Sequence, residues 1–308
     1  MTVERVPPGV LDQAPTVSFS VDCDDIDHYK NFAPADQPVV SDRPAYLRMC
    51  RTLSRLFERH GITATFFCVA DRLDDAETLE LFRGLAAAGH RIANHTYSHP
   101  DMGALTADEQ LAEIRRGHDV LRDRLQVRPV GYRGPAYHLS AETLGELCRL
   151  GYQYDSSVVD SSLFRMGIQA MGRVRKSFVP KTASAPLPAV DGRRPSLLRF
   201  AGGGRLLEWP VPTALGLPFY GTLHSVLPRA VFFSQWRYLS GRVAHIHYEL
   251  HPIEALDAET ASRHAWLPTG RIAAAKREAW LDRRLEVLAS RRVVTLEDLS
   301  AKYLPLLH

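Results

Sequence analysis

The sequence predicts an α/β fold in which parallel strands are covered by helices, as an open sheet or closed into a barrel. Three observations carry this. Strand-like and helix-like runs alternate along most of the chain. The strand-like runs are short and either apolar or strictly alternating. The residues with chemical potential fall just after those strands, where α/β folds place reactive groups. At 308 residues the chain is long enough to bury a sizeable core.

Residues 16–23 (TVSFSVDC) alternate with period two and read as a strand. Tyr46, Leu47, Cys50, Leu53, Leu56 and Phe57 recur at helical spacing over 44–59, and His60-Gly61 ends that helix. ITATFFCVA reads as a buried strand, 75–88 as a helix stopped by Gly89, and HRIANH as a short strand entering a loop. Thr106 with Glu109 makes a capping box for a helix over 107–126. RPVGYRG is the next strand. Ser140 opens a helix to about Leu150, and GYQYDSS is a further strand. Residues 161–205 show no clear period and read as an insertion or long loop. Residues 206–240 are apolar and aromatic but broken by Pro210, Pro212, Pro218 and Pro228. RVAHIHYEL restores the pattern as a strong strand. A helix around 268–290, the strand VVT and a last helix capped by Thr295 follow. The expectation is a single domain over 1–308 with an insertion at 161–240.

Composition excludes several classes. Hydrophobic residues make up 45% and charged residues 24%, as in an ordinary globular protein. A net charge of +3 gives no case for nucleic acid. Cys23, Cys50, Cys68 and Cys148 are scattered and read as buried reduced thiols. No stretch reaches the roughly 18 apolar residues of a spanning helix, and MTVERVPPGVLDQAPT has no apolar core behind a basic start. The protein is therefore expected in the cytoplasm.

Two constellations carry chemistry. In SFSVDCDDID, strand alternation puts Ser18, Ser20, Asp22 and Asp24 on one face, and Asp25 points away once the pattern is extended. In NHTYSHP, His95 and His99 are one helical turn apart, so both imidazoles can reach one point. Asp24 with the two histidines is a three-ligand set that keeps positions open, the arrangement of a catalytic metal site. One divalent ion is expected, zinc before iron, cobalt or nickel. Asp22 is left over as a general base. Cleaving an amide also needs an acid for the departing nitrogen, and His251 at the end of HYELHP is the candidate. His245 and His247 share its face but lie deeper and read as structural.

These pieces resemble, in order, the motifs of polysaccharide deacetylases, also called the NodB-homology family or carbohydrate esterase family four. The first motif resembles VDCDD (Asp22, Asp24), the second HTYSH (His95, His99), the third RGPAY (Arg133, Pro135, Tyr137) and the fifth LHP (Leu250, His251, Pro252). The resemblance runs from about residue 15 to 255. It implies a distorted (β/α) barrel with about seven parallel strands. It implies Asp22 as base, Asp24, His95 and His99 as metal ligands, His251 as acid, Arg133 paired with Asp22, and the Tyr137 N–H as an oxyanion donor. Two departures stand out. Cys23 separates Asp22 and Asp24, as in a D-x-D subgroup that includes lipid-linked sugar deformylases. The fourth motif, which supports the catalytic histidine, is not plain; Asp155 and Trp209 are its candidates.

The implied substrate is an N-acetylated or N-formylated amino sugar. Between Arg165 and Arg205 lie Arg173, Arg175, Lys176, Lys181, Arg193, Arg194 and Arg199. Trp209, Phe219, Tyr220, Phe232, Phe233, Trp236 and Tyr238 follow. A basic segment beside exposed aromatics suits peripheral contact with an anionic membrane at its inner face, and a lipid-linked substrate. Two other readings compete. One is an amidohydrolase for small non-sugar amides. The other is a non-catalytic carbohydrate-binding relative, which would be expected to lack Asp22 or His251.

Overall fold

Strand alternation organises the molecule. In the computed structural model, which describes residues 1–7, 15–34, 38–161, 163, 166, 190 and 192–307, the strand read over 16–23 spans Thr16–Asp22. Val17, Phe19, Val21 and Cys23 enter the main apolar core with Leu53, Leu56 and Phe57. Ser18 and Ser20 turn the other way and meet histidines.

The strands in chain order are β1 Thr2–Arg5, β2 Thr16–Asp22, β3 Ala64–Cys68, β4 Arg91–Asn94, β5 Gly131–Tyr132, β6 Tyr154–Asp155, β7 Ser196–Arg199, β8 Arg205–Glu208, β9 Thr213–Ala214, β10 Leu217–Pro218, β11 His245–Leu250 and β12 Arg292–Val293. All but β9 and β10 join one sheet of order β1-β7-β8-β6-β5-β4-β3-β2-β11, with β12 also on β2. Pairing is parallel from β8 through β6, β5, β4, β3 and β2 to β11. Within this sheet the antiparallel pairs are β1–β7 and the β7–β8 hairpin. Among the described residues the sheet path runs from β1 to β11 without closing. The helices are α1 Arg43–Arg59, α2 Ala76–Ala87, α3 Ala107–Leu125, α4 Ala141–Leu150, α5 Gly221–Val226, α6 Arg229–Ser240, α7 Ala258–Arg263, α8 Ala274–Leu288 and α9 Leu296–Tyr303.

The local signals behave as the sequence suggests. Thr106 and Glu109 form the capping box of α3, Ser140 caps α4 and Thr295 caps α9, each giving an otherwise unpaired N–H an acceptor. The helix expected around 268–290 begins at Ala274, with the short α7 before it. Residues 196–208, read as part of an irregular stretch, form the β7–β8 hairpin. The aromatic run that follows is mixed: Phe233 is exposed and Tyr220, Trp236 and Tyr238 are half-buried. Trp209, Phe219 and Phe232 are buried, and Phe219 and Phe232 pack in the core against Tyr248. Arg165, Arg173, Arg175, Lys176 and Lys181 lie outside the described residues. No helix among the described residues is long and apolar enough to cross a membrane.

The interior of the sheet is polar. His245 lies 3.0 Å from both the Thr16 and Ser18 hydroxyls, and His247 lies 2.8 Å from that of Ser20. Burial and Arg291 push His245 down to about 3, and burial with Arg133 pushes His247 well below the usual histidine range. Both are therefore neutral rings that link β2 to β11, the structural role expected of them. On the outer face, Phe19 packs against Phe57 and Tyr248 with ring centroids 6.2 and 6.4 Å apart. Phe19→Ala should cost about 3–5 kcal/mol in urea denaturation. A loss below about 1 kcal/mol would mean that this face of β2 is loosely packed.

Candidate active site

The site gathers at the C-terminal ends of β2, β4, β5 and β11. Beyond Asp22 the strand has ended, and the Asp24 N–H turns back to the Asp22 carbonyl at 2.8 Å. Asp25, set aside by the alternation argument, caps the 3-10 turn Ile26–Phe32 and pairs with Arg43 and Arg72 at 3.7 Å. Asp24 Oδ1 lies 3.5 Å from His95 Nε2 and 3.1 Å from His99 Nε2. It is buried with no hydrogen-bond partner. Asp24, His95 and His99 are thus one of two clusters among the described residues whose ligand atoms could hold a cation.

The histidine pair does not sit on a helix. After β4 the chain forms a loop in which Thr96 and His99 take positive φ, 68° and 53°. Such strain persists only where surrounding contacts fix it. Glu113 of α3 fixes it, accepting the N–H groups of Tyr97 and Ser98 at 3.1 and 2.8 Å. Gly117 lets α3 approach, since a Cβ there would lie 2.5 Å from Asn94 Oδ1. The expected one-turn geometry is therefore replaced by a clamped loop that still converges both rings. His95 Nδ1 lies 2.7 Å from the Arg133 carbonyl, so Nε2 is the nitrogen presented to the site. His28 stacks on His99, with centroids 4.2 Å apart and planes 9° apart. Burial and the neighbouring His99 lower His28 to about 4, so it is a neutral wall. Burial opposes ionisation of Asp24, yet His99, His28 and His95 outweigh it and hold the carboxyl well below its usual range. An anionic carboxylate facing two imidazole nitrogens, with one oxygen free of hydrogen bonds, fits a divalent cation.

Arg133 is fully buried. Its Nη1 donates to Asp22 Oδ1 at 2.5 Å and to Ser20 Oγ at 2.9 Å, and its Nε donates to the Ser156 carbonyl at 2.7 Å. Asp22 is thereby held by one oxygen while Oδ2 faces the ligand set, 3.9 Å from His95 Nε2. His251 Nε2 lies 4.0 Å from Asp24 Oδ2. Tyr29 and Tyr220 meet the His251 ring edge-on at 6.3 and 6.4 Å. Burial disfavours its charge, but Glu249, Asp24 and Asp22 raise its pKa overall.

Three expected residues are placed differently. The Tyr137 N–H donates to the Gly134 carbonyl at 2.9 Å, so the expected oxyanion donor is already engaged. Pro135 opens the tight turn, Pro135–Tyr137, that imposes this. Asp155 accepts from Ser157 Oγ at 2.8 Å and from its N–H at 3.0 Å, and Trp209 donates to Ser300 Oγ at 2.8 Å. Neither contacts His251. They flank Ser156, whose hydroxyl bridges the Trp209 carbonyl and Arg133.

Besides His28, the motifs leave out Glu249. It is fully buried, accepts from the Tyr137 hydroxyl at 2.6 Å, and lies 3.7 Å from Arg133 Nη1 and 3.6 Å from His251 Nε2. The signal was available, because Glu249 continues the period-two series His245, His247, His251. Burial, then repulsion from Asp22, raises its carboxyl to about 7 against an ordinary 4.5. The folded chain therefore keeps that proton after the unfolded chain has lost it, and stability falls as pH rises from about 4.5 to about 7. In metal-free protein, Glu249→Gln should remove roughly 2–4 kcal/mol of that fall, seen as urea midpoints that converge at low pH and separate at neutral pH. A constant gap between the two proteins across this window would contradict the assignment.

Residues 42–154 match the family model described as polysaccharide deacetylase. The match includes His95, His99 and Arg133 and leaves Asp22, Asp24 and His251 outside. The peptidoglycan deacetylase of Helicobacter pylori is 27% identical over 107 residues, 35% of this chain and 36% of that protein. The peptidoglycan-N-acetylmuramic acid deacetylase of Bacillus subtilis is 31% identical over 104 residues, 32% of this chain and 37% of that protein. The chain thus spans little more than a third of the length of these curated relatives. A crystal structure from Mycobacterium smegmatis, named for the same family, superposes with a TM-score of 0.65 at 19% identity, covering 98% of this chain and 94% of that one. Over residues 42–154 the chain is thus similar to polysaccharide deacetylases, and it shares the fold of the Mycobacterium smegmatis structure along almost its whole length.

Proposed function

We propose that this protein hydrolyses the N-acyl group of an amino sugar with the help of one divalent metal ion, zinc first among the candidates. The observation that carries the reading is the convergence of the buried Asp24 carboxylate, whose Oδ1 makes no hydrogen bond, and two imidazole nitrogens, with Asp22 and His251 each within 4.0 Å of that set.

Asp24, His95 and His99 would hold the metal, which when bound polarises an amide carbonyl and acidifies water. Arg133 fixes Asp22 by Oδ1, which leaves Oδ2 to take the proton of the attacking water. The charge on His251 is favoured by Glu249, Asp24 and Asp22, so its Nε2–H can protonate the departing nitrogen as the C–N bond breaks. Without that proton the amine is too poor a leaving group.

Asp22→Asn should retain one metal ion per chain and lose about 10²–10⁴-fold in kcat. Purified protein should be screened for amine release from N-acetyl and N-formyl amino sugars in free, nucleotide-linked and lipid-linked form. Turnover of at least one class, abolished by a chelator and restored by zinc or cobalt, is the expected result. Metal-independent turnover, or full activity in Asp22→Asn, would overturn the reading.

A further inference from the structure

The geometry points to Thr222 as a positioning residue for His251, its hydroxyl relaying Nδ1 of the imidazole to the buried carboxylate of Glu254. The inference rests on the reading of His251 as general acid. The residues expected to support His251, Asp155 and Trp209, contact other groups, so the support must come from elsewhere. It comes from α5, in the proline-broken stretch. Thr222 Oγ1 lies 3.1 Å from His251 Nδ1, and Glu254 Oε1 lies 3.5 Å from the same hydroxyl.

Glu254 is itself held from several sides. Its Oε1 accepts the His251 backbone N–H at 3.0 Å, and Arg284 Nη2 lies 3.0 Å from Oε2. Arg284, fully buried, donates in turn to the Gly221 carbonyl at 2.6 Å and to the Tyr248 hydroxyl at 2.9 Å. Gly221 leaves room for this carboxylate, because a Cβ there would lie 2.2 Å from both of its oxygens.

The chemistry follows from proton counting. A threonine hydroxyl has one proton and can also accept. Facing a carboxylate paired with Arg284, it directs that proton to Glu254 and turns a lone pair to His251. Nδ1 must then carry a proton, and the second proton of the imidazolium sits on Nε2, facing the site. When His251 protonates the leaving nitrogen, Nε2 gives up its proton, the C–N bonding pair stays with nitrogen, and the neutral ring keeps Nδ1–H on Thr222. No other group need change charge.

The test uses Thr222→Val, which removes the hydroxyl at constant shape, and Thr222→Ser, which restores it. The substrates are an N-acyl amino sugar turned over by the wild type and an activated aryl acetate, whose phenolate leaves without a proton. With Thr222→Val, amide kcat should fall about ten- to hundred-fold, a part of the about 10²–10⁴-fold contributed by a positioned acid. KM, metal content and aryl acetate turnover should stay within about two-fold, and Thr222→Ser should recover amide turnover. Equal losses on both substrates, no loss on the amide, or no rescue by serine would overturn the relay. Should the wild type turn over no amide, the functional reading fails while the relay remains testable. In ¹⁵N-histidine-labelled protein, a protected Nδ1–H resonance of His251 should be present in wild type and Thr222→Ser and absent in Thr222→Val. Its presence in all three, or its absence from wild type, would refute it.

Discussion

The site depends on one buried guanidinium. Arg133 has no exposure to solvent and sits at the end of a two-residue strand. Its side chain grips Asp22 and Ser20 from β2 and Ser156 from the segment after β6, and lies over the Phe67 ring at 4.3 Å from β3. Its main-chain carbonyl takes His95 Nδ1. One residue thus orients both the candidate base and a candidate metal ligand. A charge this deep is tolerated only with opposite charge and full hydrogen bonding around it, and Asp22, bonded to Nη1, supplies the opposite charge. Stability and chemistry therefore draw on the same contacts, so removing a partner of Arg133 disturbs both.

The arrangement separates two jobs by depth. The lower layer, Thr16, Ser18, Ser20, His245 and His247, is neutral and only ties strands together. The upper layer holds the ionisable groups of the site: Asp22, Asp24, Glu249, His95, His99 and His251. Between them Arg133 bridges the layers, 3.3 Å from His247 on one side and bonded to Asp22 on the other. Polar groups in the lower layer satisfy one another, so the field of the upper layer is set by its own carboxylates and by what they bind.

Much of this was legible in the sequence, for physical reasons that differ by residue. Asp22, Asp24, His95, His99, Arg133 and His251 stand next to strand ends, and period-two alternation or short spacing announces them. The helical turn read into His95–His99 failed because the loop is held by Glu113 and admitted by Gly117, partners on a helix whose packing no local pattern shows. Glu249 shares the strand face of His245 and His247, but a lone glutamate in a strand carries no motif of its own. Thr222 was not legible. It lies 29 residues from His251 in a stretch where prolines erase periodicity. The β1 edge strand pairs with residues almost two hundred positions away, and such partners leave no local trace. Asp155 and Trp209 had the right residue types, but parallel pairing of β6 with β8 directs them to Ser157 and Ser300.

The central claim is that a metal belongs to Asp24, His95 and His99, while the second acidic cluster, Asp22, Glu249 and His251, does proton chemistry around it. Crystals soaked in zinc and measured at the zinc absorption edge test this directly. One strong anomalous peak bonded to Asp24, His95 Nε2 and His99 Nε2, at about 2.0–2.2 Å, is the predicted result. A peak bonded instead to Asp22, Glu249 and His251, or no peak between the two histidines, would contradict the account.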